Sequence, residues 1–216
     1  MKLYYSPGAC SLAAHIVFRE ICVPIELVEI VVARRENFSP EFLKVNPRAR
    51  VPTLEIDGEI YTEVPALLTF AASLRPDAGL LPPLGSAQLA RCLEWLGWFS
   101  SSLHIAYAQL WRPERFLPPT SDSREFIESA RPIVERMNRE VEDRILGPWL
   151  LGDRYSIADA YALPFYRWGN RIGIPMAECC PRWAAWAERM LQRPAVREAI
   201  DTEKLGYESF DVKNSD

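Results

Sequence analysis

Hydrophobic and polar positions change their spacing partway along the chain. Up to about residue 75, short apolar runs alternate with helical patterns, and beyond residue 86 apolar residues recur at helical spacing only. Short apolar runs bounded by turn residues are typical of strands, and a helical period is typical of amphipathic helices. The pattern therefore predicts an α/β domain followed by an all-α domain.

The first part of the chain predicts the element order βαβ and then ββα. Asp57-Gly58 is a strong signal for a two-residue β-hairpin, because this pair favours the turn that matches strand twist. The predicted elements are strand Met1–Tyr5, helix Ser11–Glu20, strand Ile25–Val31, short helix Pro40–Val45, strands Thr53–Ile56 and Glu59–Tyr61, and helix Val64–Leu74.

The second part predicts helices after a linker, PDAGLLPPLGS, that is rich in proline and glycine. SIAD predicts a capping box in which Ser156 and Asp159 satisfy the first N–H groups of a helix. The other predicted helices span Leu89–Leu110, Arg124–Ile145 and Pro181–Gln192, and the polar tail Tyr207–Asp216 is expected to be loose. The predicted division is 1–76, a linker at 77–86, and 87–216.

Composition narrows the possible function classes. The 216 residues carry a net charge of −4 without a basic stripe, so no nucleic-acid partner is expected. No apolar run is long enough for a membrane helix, and MKLYYSPG is unlike a signal peptide, so a cytoplasmic protein is expected. Five scattered cysteines and two histidines offer no zinc-type spacing, and no metal is expected.

Cys10 raises a specific question, because YYSPGACSLAAHI places it where a strand gives way to a helix. Unpaired N–H groups and the helix dipole favour a thiolate there, and cysteine pKa values fall to roughly 3.5–7.5 in such settings. The alternative is a small buried residue under the turn. No second thiol follows in a C-x-x-C arrangement, so a mixed disulfide at Cys10 would have to be reduced by a thiol from another molecule. Alternatively, the site holds another molecule's thiolate, with Ser11 and nearby N–H groups as hydrogen-bond donors.

The same part of the chain offers anchors for such a ligand. If Pro52 is cis, the Val51 backbone can pair with an extended peptide. Thr62–Pro65 opens a helix whose free N–H groups favour a carboxylate, and Glu63 could hold an ammonium group. Each feature alone also fits a solvated loop or helix start, but together with a thiol they describe glutathione.

These segments resemble the cytosolic glutathione S-transferases, most closely the bacterial beta class. The resemblance covers nearly the whole chain and rests on MKLYYSPGACSL, NPRARVPTL, YTEVPAL and LLGDRYSIADAY. It implies a thioredoxin-like domain followed by a helical-bundle domain, glutathione as co-substrate bound mainly by the first domain, and a homodimer.

The resemblance also implies roles for individual residues in the first domain. Cys10 would touch the glutathione sulfur and form a mixed disulfide with it, and Val51, beside Pro52, would pair with the peptide backbone. Glu63 and the N–H of Val64 would bind the γ-glutamyl end, although Val64 replaces a serine common in the family. A further expectation is that Arg35 stands where a lysine holds the glycyl carboxylate.

In the helical domain, the resemblance places His104 in the active-site cleft. Gly97, Ser101 and Ala108 share its predicted helix face, and this stripe of small residues could leave room for a cleft or let helices pack closely. Gly97 and Ser102 replace residues that reach glutathione across the dimer, and Ile105 replaces a lysine. Because of these differences, the contacts that a second subunit makes with glutathione in the family are not expected to be kept in full.

The predicted function is transfer of the glutathione thiolate to a small hydrophobic electrophile, with disulfide reduction as a further activity. Cys10, Ser11 and His104 are the predicted catalytic residues. The predicted substrate contacts are His104, Tyr107, Trp111 and Phe116, each aromatic residue being equally compatible with the core. The alternatives are a non-catalytic binding or interaction protein and a specialised dehalogenase or ether-cleaving enzyme.

Overall fold

A four-stranded sheet organises the first part of the chain in the computed structural model, which describes residues 1–210. Strand β1 pairs in parallel with β2 and antiparallel with β3, and β3 pairs antiparallel with β4. The strands are β1 (Lys2–Tyr5), β2 (Glu26–Glu29), β3 (Thr53–Ile56) and β4 (Glu59–Thr62), in the spatial order β2-β1-β3-β4. This sheet, with its helices, is the predicted thioredoxin-like domain.

Local signals set the connections of this domain. Asp57 and Gly58 have φ values of 50° and 87°, as a tight hairpin turn requires, which confirms the predicted β3–β4 hairpin. The helices α1 (Ser11–Glu20), α2 (Pro40–Val45) and α3 (Val64–Leu74) have the predicted bounds. Strand β2 is shorter than predicted because a 3₁₀ turn begins at Val32.

Seven helices form the second part of the chain within residues 1–210. They are α4 (Ala87–Trp98), α5 (His104–Trp111), α6 (Arg124–Arg144), α7 (Ile157–Arg171), α8 (Met176–Cys179), α9 (Pro181–Leu191) and α10 (Pro194–Thr202). Helix α7 is buried along almost its whole length and is the centre of this domain. Helix α8, a single turn, and the short helix α10 were not predicted from the sequence.

The predicted helix Leu89–Leu110 is interrupted by a π-helical segment, Phe99–Leu103, between α4 and α5. At its end the N–H of His104 donates to the carbonyl of Phe99, five residues back. One extra residue per turn rotates the positions that follow relative to those before it, and such segments often occur at functional sites. The residues before His104 therefore do not share a face with it in the way that regular helical spacing predicts.

The end of the chain differs from the expectation of a loose tail. Tyr207–Phe210 forms a 3₁₀ turn, and Phe210 is fully buried in the core. Packing of this aromatic ring holds the segment, and the rest of the predicted tail, 211–216, lies outside the described residues. Among the described helices, none is both long and apolar enough to cross a membrane.

Candidate active site

A cavity of about 820 Å³ lies between the two domains. Its lining includes most of the residues predicted to form the site. They are Cys10, Val51, Pro52, Glu63 and Val64 from the thioredoxin-like domain, and His104, Trp111 and Phe116 from the helical domain. Within residues 1–210, no group of three or more His, Cys, Asp or Glu side chains is placed to hold a metal ion.

The loop that carries Cys10 into this cavity is held by the helical domain. The N–H of Gly8 donates to Glu203 Oε2 at 2.8 Å, and Trp168 Nε1 donates to the Gly8 carbonyl at 2.8 Å. Gly8 has φ +66°, and a Cβ atom there would collide with the Arg167 guanidinium. A glycine is therefore required both by the backbone conformation and by the close approach of Arg167.

Cys10 is the N-cap of α1 and is buried, with 6% exposure. Its Sγ donates to the Val51 carbonyl at 3.5 Å. Burial raises the pKa of the thiol to about 12, and the N–H groups of Cys10 and Ser11 lower this pKa by less. Of the two possibilities for Cys10, the raised pKa favours a buried neutral thiol over a thiolate, because desolvation outweighs the helix N–H groups.

Ser11 has a different role from the one predicted. Its fully buried hydroxyl donates to the Ser6 carbonyl at 3.1 Å and accepts from the Ser6 N–H at 3.0 Å. These bonds tie the start of α1 to the end of β1, and the hydroxyl does not line the cavity. The Ser11 backbone N–H, by contrast, is directed at the Cys10 sulfur.

The peptide-binding side of the cavity has the predicted backbone features. The Val51–Pro52 bond is cis. Val64 begins α3, so its N–H has no partner within the helix. Glu63 precedes it with φ 73° and ψ 117°, a sparsely populated backbone conformation of the kind that often marks functional sites. The Glu63 carboxylate is 68% exposed and lies 3.6 Å from the Arg48 guanidinium.

Arg35 does not line the cavity. Its guanidinium stacks over the Phe38 ring at 4.9 Å, and the side chain is exposed outside the cavity. The left-handed backbone of Arg35, with φ 61°, turns the chain between two 3₁₀ segments. The cations that the thioredoxin-like domain presents to the cavity are instead Arg48 and Arg50, which sequence analysis missed.

His104 lines the cavity, and its ring packs edge-on against Trp168 at 5.2 Å. Burial, together with the positive charges of Arg50, Arg115 and Arg112, lowers the pKa of His104 to about 4. The imidazole is therefore neutral at neutral pH and acts as a hydrogen-bonding group without charge.

The small-residue face differs from the prediction around His104. Ser100 and Ala108 line the cavity with His104, whereas Gly97 and Ser101 are exposed on another side. The π-helical segment explains the change, because it rotates the residues before His104 relative to those after it.

Three predicted aromatic contacts have different outcomes. Trp111 and Phe116 line the cavity, with 43% and 40% exposure. Tyr107 is fully buried, and its hydroxyl accepts from Asn138 Nδ2 at 2.9 Å and donates to the Phe165 carbonyl at 3.1 Å. The prediction that Tyr107 contacts substrate is wrong, because this hydroxyl is used entirely inside the helical domain.

Tyr161 is a cavity residue that sequence analysis missed. It lies on α7, one turn after the capping box, and it lines the cavity. Burial, then the nearby Cys10 and Glu63, raises the pKa of Tyr161. The sequence carried a hint of this role, since Tyr161 is the last residue of the family-like segment LLGDRYSIADAY. On its own, that segment predicts only a helix start.

Comparison with known proteins agrees with this architecture. Residues 3–79 match the N-terminal domain of glutathione S-transferase, and residues 112–194 match its C-terminal domain. The chain is also 33% identical to the glutathione S-transferase GstA of Escherichia coli O157:H7, over 95% of this chain and 100% of that protein. The chain belongs to the glutathione S-transferase family.

Further relatives place this transferase beside bacterial members. It is 27% identical to the disulfide-bond oxidoreductase YfcG of Escherichia coli K12, over 98% of this chain and 99% of that protein. A bacterial beta class transferase from Sphingomonas chungbukensis is 35% identical, with a TM-score of 0.84 over 95% of this chain and 100% of that chain. A sphingomonad transferase solved with glutathione is 37% identical, with a TM-score of 0.83 over the same shares of both chains.

Proposed function

We propose that this protein binds glutathione in the cavity and transfers its thiolate to a small electrophile. The observation that carries the proposal is one cleft that holds the Cys10 sulfur, the cis Val51–Pro52 backbone and the free N–H of Val64. The similar sphingomonad transferase was solved with glutathione bound, which supports the same ligand here.

In this proposal, glutathione lies along the thioredoxin-like wall of the cavity. The Val51 backbone pairs with the cysteinyl unit, and the Val64 N–H binds the γ-glutamyl carboxylate. Glu63 pairs with the ammonium group, and Arg50 takes the glycyl carboxylate in place of Arg35, which does not line the cavity. The exposed Glu63 pair is expected to contribute modestly, because open ion pairs are worth about 0–1 kcal/mol.

The reaction uses the glutathione sulfur as nucleophile. Its thiol proton leaves to solvent, the sulfur forms a bond to an electrophilic carbon, and the leaving group departs with the electron pair of the bond that breaks. The N–H groups at the start of α1 stabilise the thiolate, and Cys10, as a neutral thiol, donates to it. The cleft adds orientation of the two reactants.

Disulfide reduction is the second candidate, because the relative YfcG is named a disulfide-bond oxidoreductase. If Cys10 were the reacting atom, its thiolate would have to form in a buried position that raises the pKa to about 12. Conjugation needs no ionisation of Cys10 and is therefore the favoured activity. Dehalogenation and ether cleavage would use the same thiolate attack on a different carbon.

Conjugation of a chlorodinitrobenzene-type electrophile by a Cys10→Ala variant tests this assignment. We expect a loss of one to two decades in rate, equal to about 1–3 kcal/mol, because one polar neighbour among several is removed. Cys179→Ala, at an exposed position outside the cavity, is the matched control. Activity at background level in a folded variant that still binds glutathione would overturn this division of roles.

We also propose that the enzyme is a cytoplasmic homodimer, as the family resemblance implies. Gly97 is exposed, and a Cβ atom there would meet nothing within 4 Å. With Gly97 and Ser102 at these positions, glutathione binding is expected to depend on one subunit alone. Sedimentation should show a dimer, and glutathione affinity that changes with protein concentration would contradict the independence of the subunits.

A further inference from the structure

The cavity holds more positive charge than glutathione uses. Within residues 1–210, its lining contains five arginines and two glutamates, with Arg48 near Glu63. Glutathione bound as its thiolate has two carboxylates, one thiolate and one ammonium group, a net charge of −2, whereas five arginines and two glutamates give the lining a net charge of +3. After the γ-glutamyl carboxylate binds backbone N–H at α3 and the glycyl carboxylate binds Arg50, the arginines of the helical domain have no counterpart on this ligand.

Arg112 and Arg115 form the centre of this surplus. Arg112 follows the last residue of α5, and Arg115 ends the 3₁₀ turn behind it, so both approach the cavity beside Trp111 and Phe116. Neither forms a salt bridge in the described part of the chain, although Glu114 lies between them in sequence. Glu114, which is exposed and also lines the cavity, offsets part of the charge on Arg115, and an anion bound here would offset the remaining repulsion between the arginines.

The proximity of Arg112 and Arg115 also affects the pKa values of neighbouring groups. Burial lowers the pKa of Arg115, and the positive charges of Arg112 and Arg50 lower it further. The same three arginines act on His104. The positive charges therefore converge beside His104, where Arg112 and Arg115 of the helical domain approach Arg50 of the thioredoxin-like domain.

We propose that the second substrate is a small aromatic electrophile carrying a carboxylate, which Arg112 and Arg115 bind while its ring lies against Trp111 and Phe116. A planar guanidinium fits a carboxylate with two parallel hydrogen bonds. The aromatic side chains supply the apolar surface that a ring needs. This inference rests on the proposed conjugating function and revises the predicted partner, a hydrophobic electrophile, by adding an anionic group.

The test compares two substrates that differ only in charge, 4-chloro-3-nitrobenzoate and 4-chloro-3-nitrobenzamide. In each, the glutathione sulfur forms a bond to the ring carbon, and chloride leaves with its electron pair. After correction for the uncatalysed rates, we expect kcat/KM to favour the benzoate about tenfold at low salt and to lose this preference as ionic strength rises. An Arg112→Gln/Arg115→Gln variant should lose the preference, whereas the Arg136→Gln control should keep it.

Binding of the two purified conjugates, measured by calorimetry, separates this inference from the function on which it rests. Wild-type protein should bind the carboxylate conjugate about tenfold more tightly than the carboxamide conjugate, and the double variant should bind both alike. Equal binding by wild-type protein would overturn the anionic substrate and leave conjugation intact. Failure of the wild-type protein to bind either conjugate would overturn both the anionic substrate and the proposed conjugating function. A double variant that changes oligomeric state but not the binding ratio would place these arginines in an interface and overturn the inference.

Discussion

The reactivity of Cys10 shows whether the helix N–H groups ionise its thiol or burial keeps the thiol neutral. A thiol with a pKa of about 12 is ionised to roughly one part in 10⁴ at pH 8, whereas an ordinary thiol with a pKa of about 8.5 is roughly one quarter ionised. The thiolate of the weaker acid is more nucleophilic, which recovers about 1.4–1.8 decades of the rate lost through low ionisation. We therefore expect Cys10 to react with a small disulfide roughly 40- to 100-fold more slowly than an ordinary thiol.

The assay is modification by methyl methanethiosulfonate, followed by mass spectrometry of the peptides that contain Cys10 and the exposed Cys179. Burial also hinders access, so the shape of the rate–pH profile is decisive. The Cys10 rate should keep rising about tenfold per pH unit through pH 10, and both cysteines should react alike in urea. A Cys10 rate that levels off below pH 8 would show that the helix N–H groups outweigh burial, and disulfide exchange would then be favoured.

Three substitutions test other parts of the site and its support. Glu63→Gln should weaken glutathione binding about 2- to 5-fold by calorimetry, because its pair is open, and affinity equal to that of a Glu128→Gln control would reject the γ-glutamyl assignment. Tyr107→Phe should cost about 1–3 kcal/mol in urea unfolding without changing KM for the electrophile, since its hydroxyl is bonded only to Asn138 and Phe165; a raised KM at unchanged stability would return Tyr107 to the cleft. Asp159→Ala should cost about 2–5 kcal/mol with turnover per folded molecule unchanged, and wild-type stability with lost turnover would contradict a structural role.

The stability loss expected for Asp159→Ala exceeds that of a simple helix cap for a structural reason. Its carboxylate accepts from Ser156 twice, from the Leu150 N–H at 2.9 Å and from Trp186 Nε1 at 2.8 Å. A cap alone is worth about 0.5–2 kcal/mol. Loss of this carboxylate also leaves donors on the preceding loop and on α9 buried without partners, so the helix start, loop and neighbouring helix are weakened together.

Features governed by neighbours in sequence were predictable. The turn at Asp57-Gly58, the bounds of α1 and the capping box at Ser156 each depend on a few adjacent residues, and the structure has all of them. The cis bond at Val51–Pro52 was foreseen as a condition for peptide pairing. Local chemistry was therefore enough to predict that Cys10, Val51, Glu63 and Val64 share one site, and all four line the cavity.

Features that depend on packing from the other domain were not predictable in this way. Cys10 has the helix N–H groups expected of it, but its burial sets the sign of its pKa shift. Arg35 stands at the expected sequence position, yet its side chain stacks on Phe38. Tyr107 and Tyr161 both lie on helices with apolar faces, and only the orientation of those helices places Tyr161 at the cavity and Tyr107 in the core.

The central claim is that bound glutathione, and not Cys10, supplies the reacting thiolate. Ultraviolet difference absorption of the thiolate, followed against pH in the glutathione complexes of wild-type protein and Cys10→Ala, tests this claim most directly. We expect a thiolate signal at neutral pH that appears only with glutathione and persists in Cys10→Ala with its midpoint raised by about 1–2 pH units. A signal already present in the free wild-type protein and absent from the Cys10→Ala complex would contradict the claim and identify Cys10 as the ionised sulfur.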